Sequence, residues 1–403
     1  MEGRPRAIVA HSFWGRGGAE SAAMWTLKAL TQIYDVTVYT RGGFDLASLN
    51  RLAGTDLKAD DLLVKHAPGA SFPIGAFAHA YYMRSLSKVG RGYDVRITAS
   101  GVMNWRHPAI HFLSGVMFSE ELATQFADSD ITARRSIARK IVHALAGSIA
   151  RGSYQGGVSD IFVANSEWMR ERAAPFCPGR MAIIFPPVPG ISYGRPWQER
   201  EDGVLVLGRI ASEKRIETCI EIVEQVRASG ADLTLYIVGP PGEAAYMKHL
   251  EQLFRERKEW LRVLPLQTGR DKLHLLARLR YGLNACEVEA FGIATAEMTD
   301  GGMIVLVPRD TGQSEIVVDP RLQFQTESEA AERLRLIHDN PTIQLDLHHS
   351  ALQRNGRFST ERYVAAVKDL TSERLEDGFP VMKPLRSDKR EFFLKALFKR
   401  FAG

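Results

Sequence analysis

The sequence predicts an α/β protein made of two open parallel sheets, each covered by helices and facing the other across a cleft. Three observations carry that expectation. Short apolar runs alternate with helical patterns along most of the chain. The alternation stops once, at the proline-rich stretch Pro186–Glu201, and then restarts. Glycine-rich or charged loops follow several of the apolar runs. Ligands of such sheets bind outside the carboxyl ends of the strands, so these loops are where chemistry is expected.

The elements follow in order. Arg6–His11 (RAIVAH) reads as a buried strand, Gly15–Gly18 as a tight turn and Ala19–Leu30 as a helix. Asp35–Thr40, Leu62–His66, Val95–Ala99, Ala109–Leu113 and Ile161–Ala164 read as further strands with helical patterns between them. Pro186–Glu201 holds four prolines and two glycines and reads as a linker. The second unit then runs strand Val204–Leu207, helix Glu213–Ala228, strand Leu233–Val238, helix Glu243–Arg257 and strand Arg262–Leu264. It continues with helix Asp271–Arg278, strand Tyr281–Ala285, a helix from about Gly292, strand Met303–Val307 and helices Glu327–His338 and Thr360–Leu370.

Composition bounds the function classes. A chain of 403 residues suggests two or three domains. Its 45% hydrophobic and 25% charged residues exclude a disordered, collagen-like or disulfide-stapled chain. Cys177, Cys219 and Cys286 are too scattered for a disulfide framework or a zinc site, so free thiols in a reducing cytosol are expected. No apolar run approaches the ~18 residues of a membrane span, and Ala7–Ala10 is too short for a signal peptide. The expected location is cytoplasmic, or peripheral at the inner face of a membrane. The net charge of +5 lies wholly in residues 383–403; the rest of the chain is neutral. That argues against a nucleic-acid binder.

Four loops carry candidate chemistry. Gly15, Gly17 and Gly18 precede a helix and let backbone approach an anion. As a dinucleotide fingerprint the loop fails, because G-x-G-x-x-G needs glycine at Glu20 and no acid follows Thr40-Arg41. Arg209 and Lys214, after the first strand of the second unit, supply two fixed cations suited to a diphosphate. Glu289 and Glu297 flank Phe291-Gly292 and would share a face if the helix began early. Thr311–Glu315 is a small-residue loop after the next strand.

In this order the motifs GGAE, ANSEWMRE, FPPVP, GRIASEKR, EAFGIATAE and TGQSEIV resemble the family-4 retaining glycosyltransferases, over about Arg6 to Leu370. The resemblance implies the GT-B fold, two Rossmann-like domains with a nucleotide-sugar in the cleft. It implies residues 1–190 as the acceptor-binding domain, 191–358 as the donor-binding domain, 359–382 as a helix crossing back, and 383–403 as a basic amphipathic tail. By the same resemblance Arg209 and Lys214 hold the donor diphosphate, and Glu297 binds the nucleotide ribose. Glu289 contacts the transferred sugar. The backbone of Phe291, Gly292 and Ile293 cradles sugar and phosphate, and Gly17 and Gly18 face the phosphates. Family members carry an active histidine near the strand at Ala109–Leu113; His111 is the candidate here, although the usual spacing falls on Ser114. The run RYGLNACEVEAFGIATAEMTDGG looks closest to a branch with mannosyltransferases that act on lipid-linked oligosaccharides.

The implied reaction moves a hexose from a UDP- or GDP-sugar to a glycan or lipid-linked acceptor. It keeps the anomeric configuration and needs no cofactor or metal. Asp128-Ser129-Asp130 follows no strand and reads as a helix–helix turn instead of a metal motif. The alternatives are another GT-B enzyme, an epimerase or phosphorylase, and a decayed sugar-nucleotide-binding protein. The tail Asp388–Phe401 places aromatics and leucines beside lysines and arginines, as interfacial helices do, and suits an anionic membrane. Ala133–Arg151 shows a similar stripe.

Overall fold

The computed structural model describes residues 3–15, 17–67, 75–115, 145, 149–150, 156–190, 194–354 and 356–376. The first unit holds strands β1 (Arg6–Ala10), β2 (Asp35–Thr40), β3 (Leu62–His66), β4 (Val95–Thr98), β5 (Ile110–Leu113), β6 (Ile161–Ala164) and β7 (Arg180–Ile183). Its helices are α1 (Gly18–Leu30), α2 (Leu46–Ala53), α3 (Gly75–Val89) and α4 (Glu167–Ala173). The strands pair in the order β3-β2-β1-β4-β5-β6-β7, all parallel.

The second unit holds β8 (Glu201–Leu207), β9 (Thr234–Val238), β10 (Leu261–Leu264), β11 (Leu279–Leu283), β12 (Ile304–Pro308) and β13 (Gln323–Phe324). Its helices are α5 (Ile216–Ala228), α6 (Ala244–Glu256), α7 (Gly269–Arg278), α8 (Ile293–Asp300), α9 (Glu327–His338) and α10 (Pro341–Leu352). Here the parallel order is β10-β9-β8-β11-β12-β13. Strands such as β6 and β12 are buried along their whole length. Helices on both faces of a parallel sheet demand such continuous apolar runs. In each unit the first strand lies where the winding reverses direction, so the loops after β1 and β8 sit at switch points.

The expected alternation is present, with four elements it lacked: α4, β7, the two-residue β13 and α10. β7 is an edge strand of half-buried residues, too weakly patterned to be read. In α10 the apolar residues Ile343, Leu345 and Leu347 alternate like a strand. The missed signal was its start. Asn340 Oδ1 accepts from Thr342 N at 3.1 Å and Ile343 N at 3.2 Å, and Pro341 occupies the first helical position.

Two crossings join the units. Val188, in the proline-rich segment, donates its N–H to Phe358 O at 2.7 Å, so the outgoing and returning chains touch. The final helix, α11 (Thr360–Glu376), packs on α1. Tyr363 OH lies 2.7 Å from Thr26 Oγ1, and Tyr34 OH donates to Thr371 O at 3.0 Å. Val367 and Leu370 are buried in the first unit's core. Among the described residues no helix is long and apolar enough to cross a membrane. Asp128–Asp130 and the basic tail lie outside the described residues, and of the stripe at 133–151 only residues 145 and 149–150 are described.

Candidate functional site

The carboxyl edges of the two sheets meet at Gly18 and Ile293. A Cβ on Gly18 would lie 2.7 Å from Ile293 Cδ1, so the glycine turn after β1 rests against the start of α8. The loops after β8, β11 and β12 converge on the same region.

The loop after β8 is sharply folded. Ser212–Lys214 forms one 3-10 turn and Arg215 takes φ +49°, so α5 begins at Ile216 instead of Glu213 as the sequence suggested. A left-handed conformation is unfavourable for arginine by about 1–2 kcal/mol. Its guanidinium is held by Glu287 and, at 2.9 Å, by Glu327. The kink presents Lys214 to Glu289, 75 residues away in sequence, and the two form a partly buried ion pair. Burial works against the Lys214 charge, but the Glu289 carboxylate outweighs it and holds the lysine pKa above its ordinary value. Cys286, beside this pair, is pushed up to about 11 by burial, with Lys214 pulling the other way.

Glu289 lies before α8 and outside it, which corrects the expected shared helical face with Glu297. Gly292 adopts φ +92° and caps α8, so the helix begins only at Ile293. The loop is fixed from two sides. Gly312 N donates to Glu289 O at 2.8 Å, and Gln313 Nε2 to Cys286 O at 3.1 Å. A Cβ at Gly312 would sit 1.9 Å from Ala290 O, so this glycine is needed for the close approach. Phe291 is 1% exposed, and its ring packs with Phe185 and Phe358 from the two crossings at 6.0 and 5.1 Å.

Glu297 sits one turn into α8 and meets Lys272 of α7 at 2.6 Å. Arg209 is largely exposed and turned toward Glu213 at 2.5 Å. The structure thus brings Lys214, Glu289 and the backbone of Phe291–Ile293 together. Arg209 and Glu297 flank them, each held by a charge of its own.

The first unit changes two expectations. Of the two glycines expected to face phosphates, Gly17 has its amide occupied: Gly17 N, with Gly15 N beside it, donates to the Glu20 carboxylate at 3.0 and 3.3 Å, and His11 Nε2 lies 3.4 Å from it. Burial alone would raise the Glu20 pKa, but the contacts to His11 and the loop amides hold it below the ordinary value. Gly17 is therefore spent within its own unit, while Gly18 makes the contact to Ile293. His111 is the second correction. It is wholly buried, with Nδ1 3.1 Å from Thr98 Oγ1 and Nε2 3.2 Å from Asp160 Oδ2. Both ring nitrogens are engaged inside the first unit, so in this arrangement His111 offers no free nitrogen to a ligand, contrary to what the resemblance led one to expect. Ser114, three residues on, is exposed at the strand end, with Oγ 2.6 Å from Ser100 Oγ.

Sequence reasoning missed the seam between the units. Ser166 Oγ donates to Ala290 O at 2.5 Å, and Glu315 caps the first turn of α4. Trp168 Nε1 donates to Asp310 O at 2.5 Å. The cap signal Ser166-x-x-Met169 was legible, but a capping carboxylate 147 residues away was not.

Residues 194–354 match the family model described as glycosyl transferases group 1. No curated protein matches the sequence. Among solved structures, the chain is similar to WaaG, a glycosyltransferase involved in lipopolysaccharide biosynthesis, at TM-score 0.69 and 15% identity, over 92% of this chain and 100% of that one. It is similar to sucrose-phosphate synthase from Thermosynechococcus elongatus at TM-score 0.67 and 14% identity, over 92% and 99%. A third is Anabaena HepE in complex with UDP-glucose, at TM-score 0.64 and 15% identity, over 92% and 99%. The chain has the GT-B fold.

Proposed function

We propose that this chain is a retaining glycosyltransferase that moves a hexose from a UDP- or GDP-linked donor, held by the second unit, to an acceptor held by the first. The observation that carries the reading is the Lys214–Glu289 pair beside Gly292, at the carboxyl edge of the second sheet. A charged lysine there meets the developing negative charge of a leaving diphosphate. When the diphosphate takes Lys214, Glu289 is released to accept hydroxyl protons from the transferred sugar. The Glu297 carboxylate suits the ribose hydroxyls.

Retention follows a front-face route. The bond from the anomeric carbon to the phosphate oxygen breaks through an oxocarbenium-like ion pair. The acceptor oxygen bonds on the same face, and its proton passes to the departing phosphate oxygen. This route needs no metal and no enzymic nucleophile. A cytoplasmic enzyme brought to an anionic membrane by residues 383–403 would reach a lipid-linked acceptor.

A thermal-shift panel of nucleotides and nucleotide-sugars, GDP-mannose included, tests the donor. Product NMR with the best donor then reads the anomeric configuration. An inverted product sinks the retaining mechanism, and no stabilisation by any nucleotide-sugar sinks the function.

A further inference from the structure

The loops after β1 and β2 continue the sheet's lacing beyond its edge. His11 N donates to Tyr39 O at 3.1 Å, Arg41 N to Ser12 O at 2.9 Å and Trp14 N to Gly42 O at 3.2 Å, and Phe13 bridges Gly42. They form one rigid platform at the carboxyl edge of the first sheet, adjoining the turn that meets Ile293. Phe13 projects from it, 62% exposed.

Arg41 stands on this platform without a carboxylate partner among the described residues. It is partly buried, its Nε is sealed from solvent without a partner, and among the described residues no acceptor takes its guanidinium. Arg170, Arg278 and Arg280 also carry a buried, unbonded Nε, but each has a carboxylate: Glu167, Glu201 and Asp202. Trp14, 3% exposed, adds a second buried N–H without an acceptor in the same loops. His79, on α3, lies with Nδ1 3.1 Å from Ser12 Oγ. Ser12 thus touches both neighbours, taking the Arg41 N–H on its carbonyl and His79 at its hydroxyl. Burial holds the His79 pKa low, and the Arg41 charge works in the same direction.

A partly desolvated cation without a counter-charge is costly, and unsatisfied donors concentrated in one place call for an oxygen-rich group. We propose that Arg41, His79 and Ser12 form a subsite for an oxyanion carried by the acceptor sugar, a phosphate ester or a carboxylate, with the Phe13 ring covering the sugar's apolar face. The guanidinium fork matches either oxyanion. That the oxyanion belongs to an acceptor rests on the glycosyltransferase reading; that an oxyanion binds here does not.

The test is the His79 imidazole titration, followed by NMR on the full chain saturated with UDP or GDP, whichever binds, so that the second unit is occupied. Inorganic phosphate and acetate are added in separate arms. An anion seated between Arg41 and His79 raises the His79 midpoint by about 0.5–1 pH unit. The more effective anion names the group. Arg41→Gln, with its native fold checked by circular dichroism, should lose the shift. A midpoint unmoved by both anions, or moved equally in Arg41→Gln, overturns the subsite. A shift caused by the nucleoside diphosphate alone assigns Arg41 to the donor and overturns the acceptor assignment. If neither UDP nor GDP binds, the glycosyltransferase reading fails, while the phosphate response of His79 still decides whether an oxyanion binds.

Discussion

Glu315, in the second unit, caps a helix in the first: its Oε1 accepts from Trp168 N at 2.6 Å, and its Oε2 takes Glu167 N at 3.0 Å. Ser166 completes the turn by accepting from Met169 N at 2.9 Å while donating to Ala290 O. One α4 terminus therefore joins the units and fixes the peptide that follows Ala290 in the loop after β11. Removing the carboxylate strips two amides of their partner. Glu315→Ala should lose about 1–2 kcal/mol of stability. It should also weaken UDP binding, because the loop after β11 loses its support from the first unit. Thermal melts and calorimetric titration with UDP read the two effects. Unchanged UDP affinity in a less stable variant would reduce the seam to a structural role.

Lys214→Ala should lower turnover by ~10²–10³-fold, the usual loss when a preorganised charge is removed from a leaving group. Arg209→Ala should fall in the same range if its exposed side chain leaves Glu213 for the diphosphate. The measurement is kcat with a saturating donor, beside a circular dichroism spectrum matching the parent. Near-normal transfer by folded Lys214→Ala would remove the diphosphate role.

Gly312→Ala forces a Cβ to within 1.9 Å of Ala290 O. The loop after β11 must shift, at a cost of about 1–3 kcal/mol. The expected result is a lower Tm together with a raised KM for the donor, since the displaced segment is the one that presents Glu289 and Gly292. A native Tm would mean the two loops separate more easily than their hydrogen bonds suggest.

Glu20 gives the first unit an acid-sensitive element. Its folded pKa is depressed, so the fold favours the carboxylate. Its contribution is complete above the ordinary carboxylate pKa and is lost as pH falls through the lowered folded value. Parent and Glu20→Gln should differ by about 1 kcal/mol at pH 7. The gap should close toward pH 3, as followed by melts across that range. A constant difference would assign the loss to packing.

All three thiols should resist modification in the folded protein. Burial pushes Cys177 and Cys219 up to about 12 and Cys286 up to about 11, so little thiolate exists at pH 8. An aromatic disulfide reagent should react fast only after denaturation. Prompt labelling of Cys286 in the native state would mean that the loop beside Lys214 opens.

The strands of both sheets were legible because parallel strands covered on both faces must be apolar along their length. β6 (IFVA) and β12 (IVLVP) show it plainly. β7 and α10 were not, since an edge strand needs little apolar surface and α10 carries its apolar residues at strand spacing. Among candidate residues, Lys214, Glu289 and Gly292 stood out by order and spacing, and the fold brings them together. The burial of His111 was not legible, because only the pleat says which face of β5 a side chain takes.

The order of residues alone encodes the two alternating α/β units, the break between them, and the loops where chemistry belongs. Local periodicity and turn residues encode these, and they need no distant partner. The approach of distant segments set which charges meet: Lys214 with Glu289, Glu297 with Lys272, Glu20 with the glycine amides, Glu315 with α4, and Arg41 with no carboxylate among the described residues. Each of these outcomes depends on side-chain direction at the end of a strand. That direction is set by the pleat, by the left-handed residues Arg215 and Gly292, and by the approach of the two sheets, none of which spacing along the chain can state.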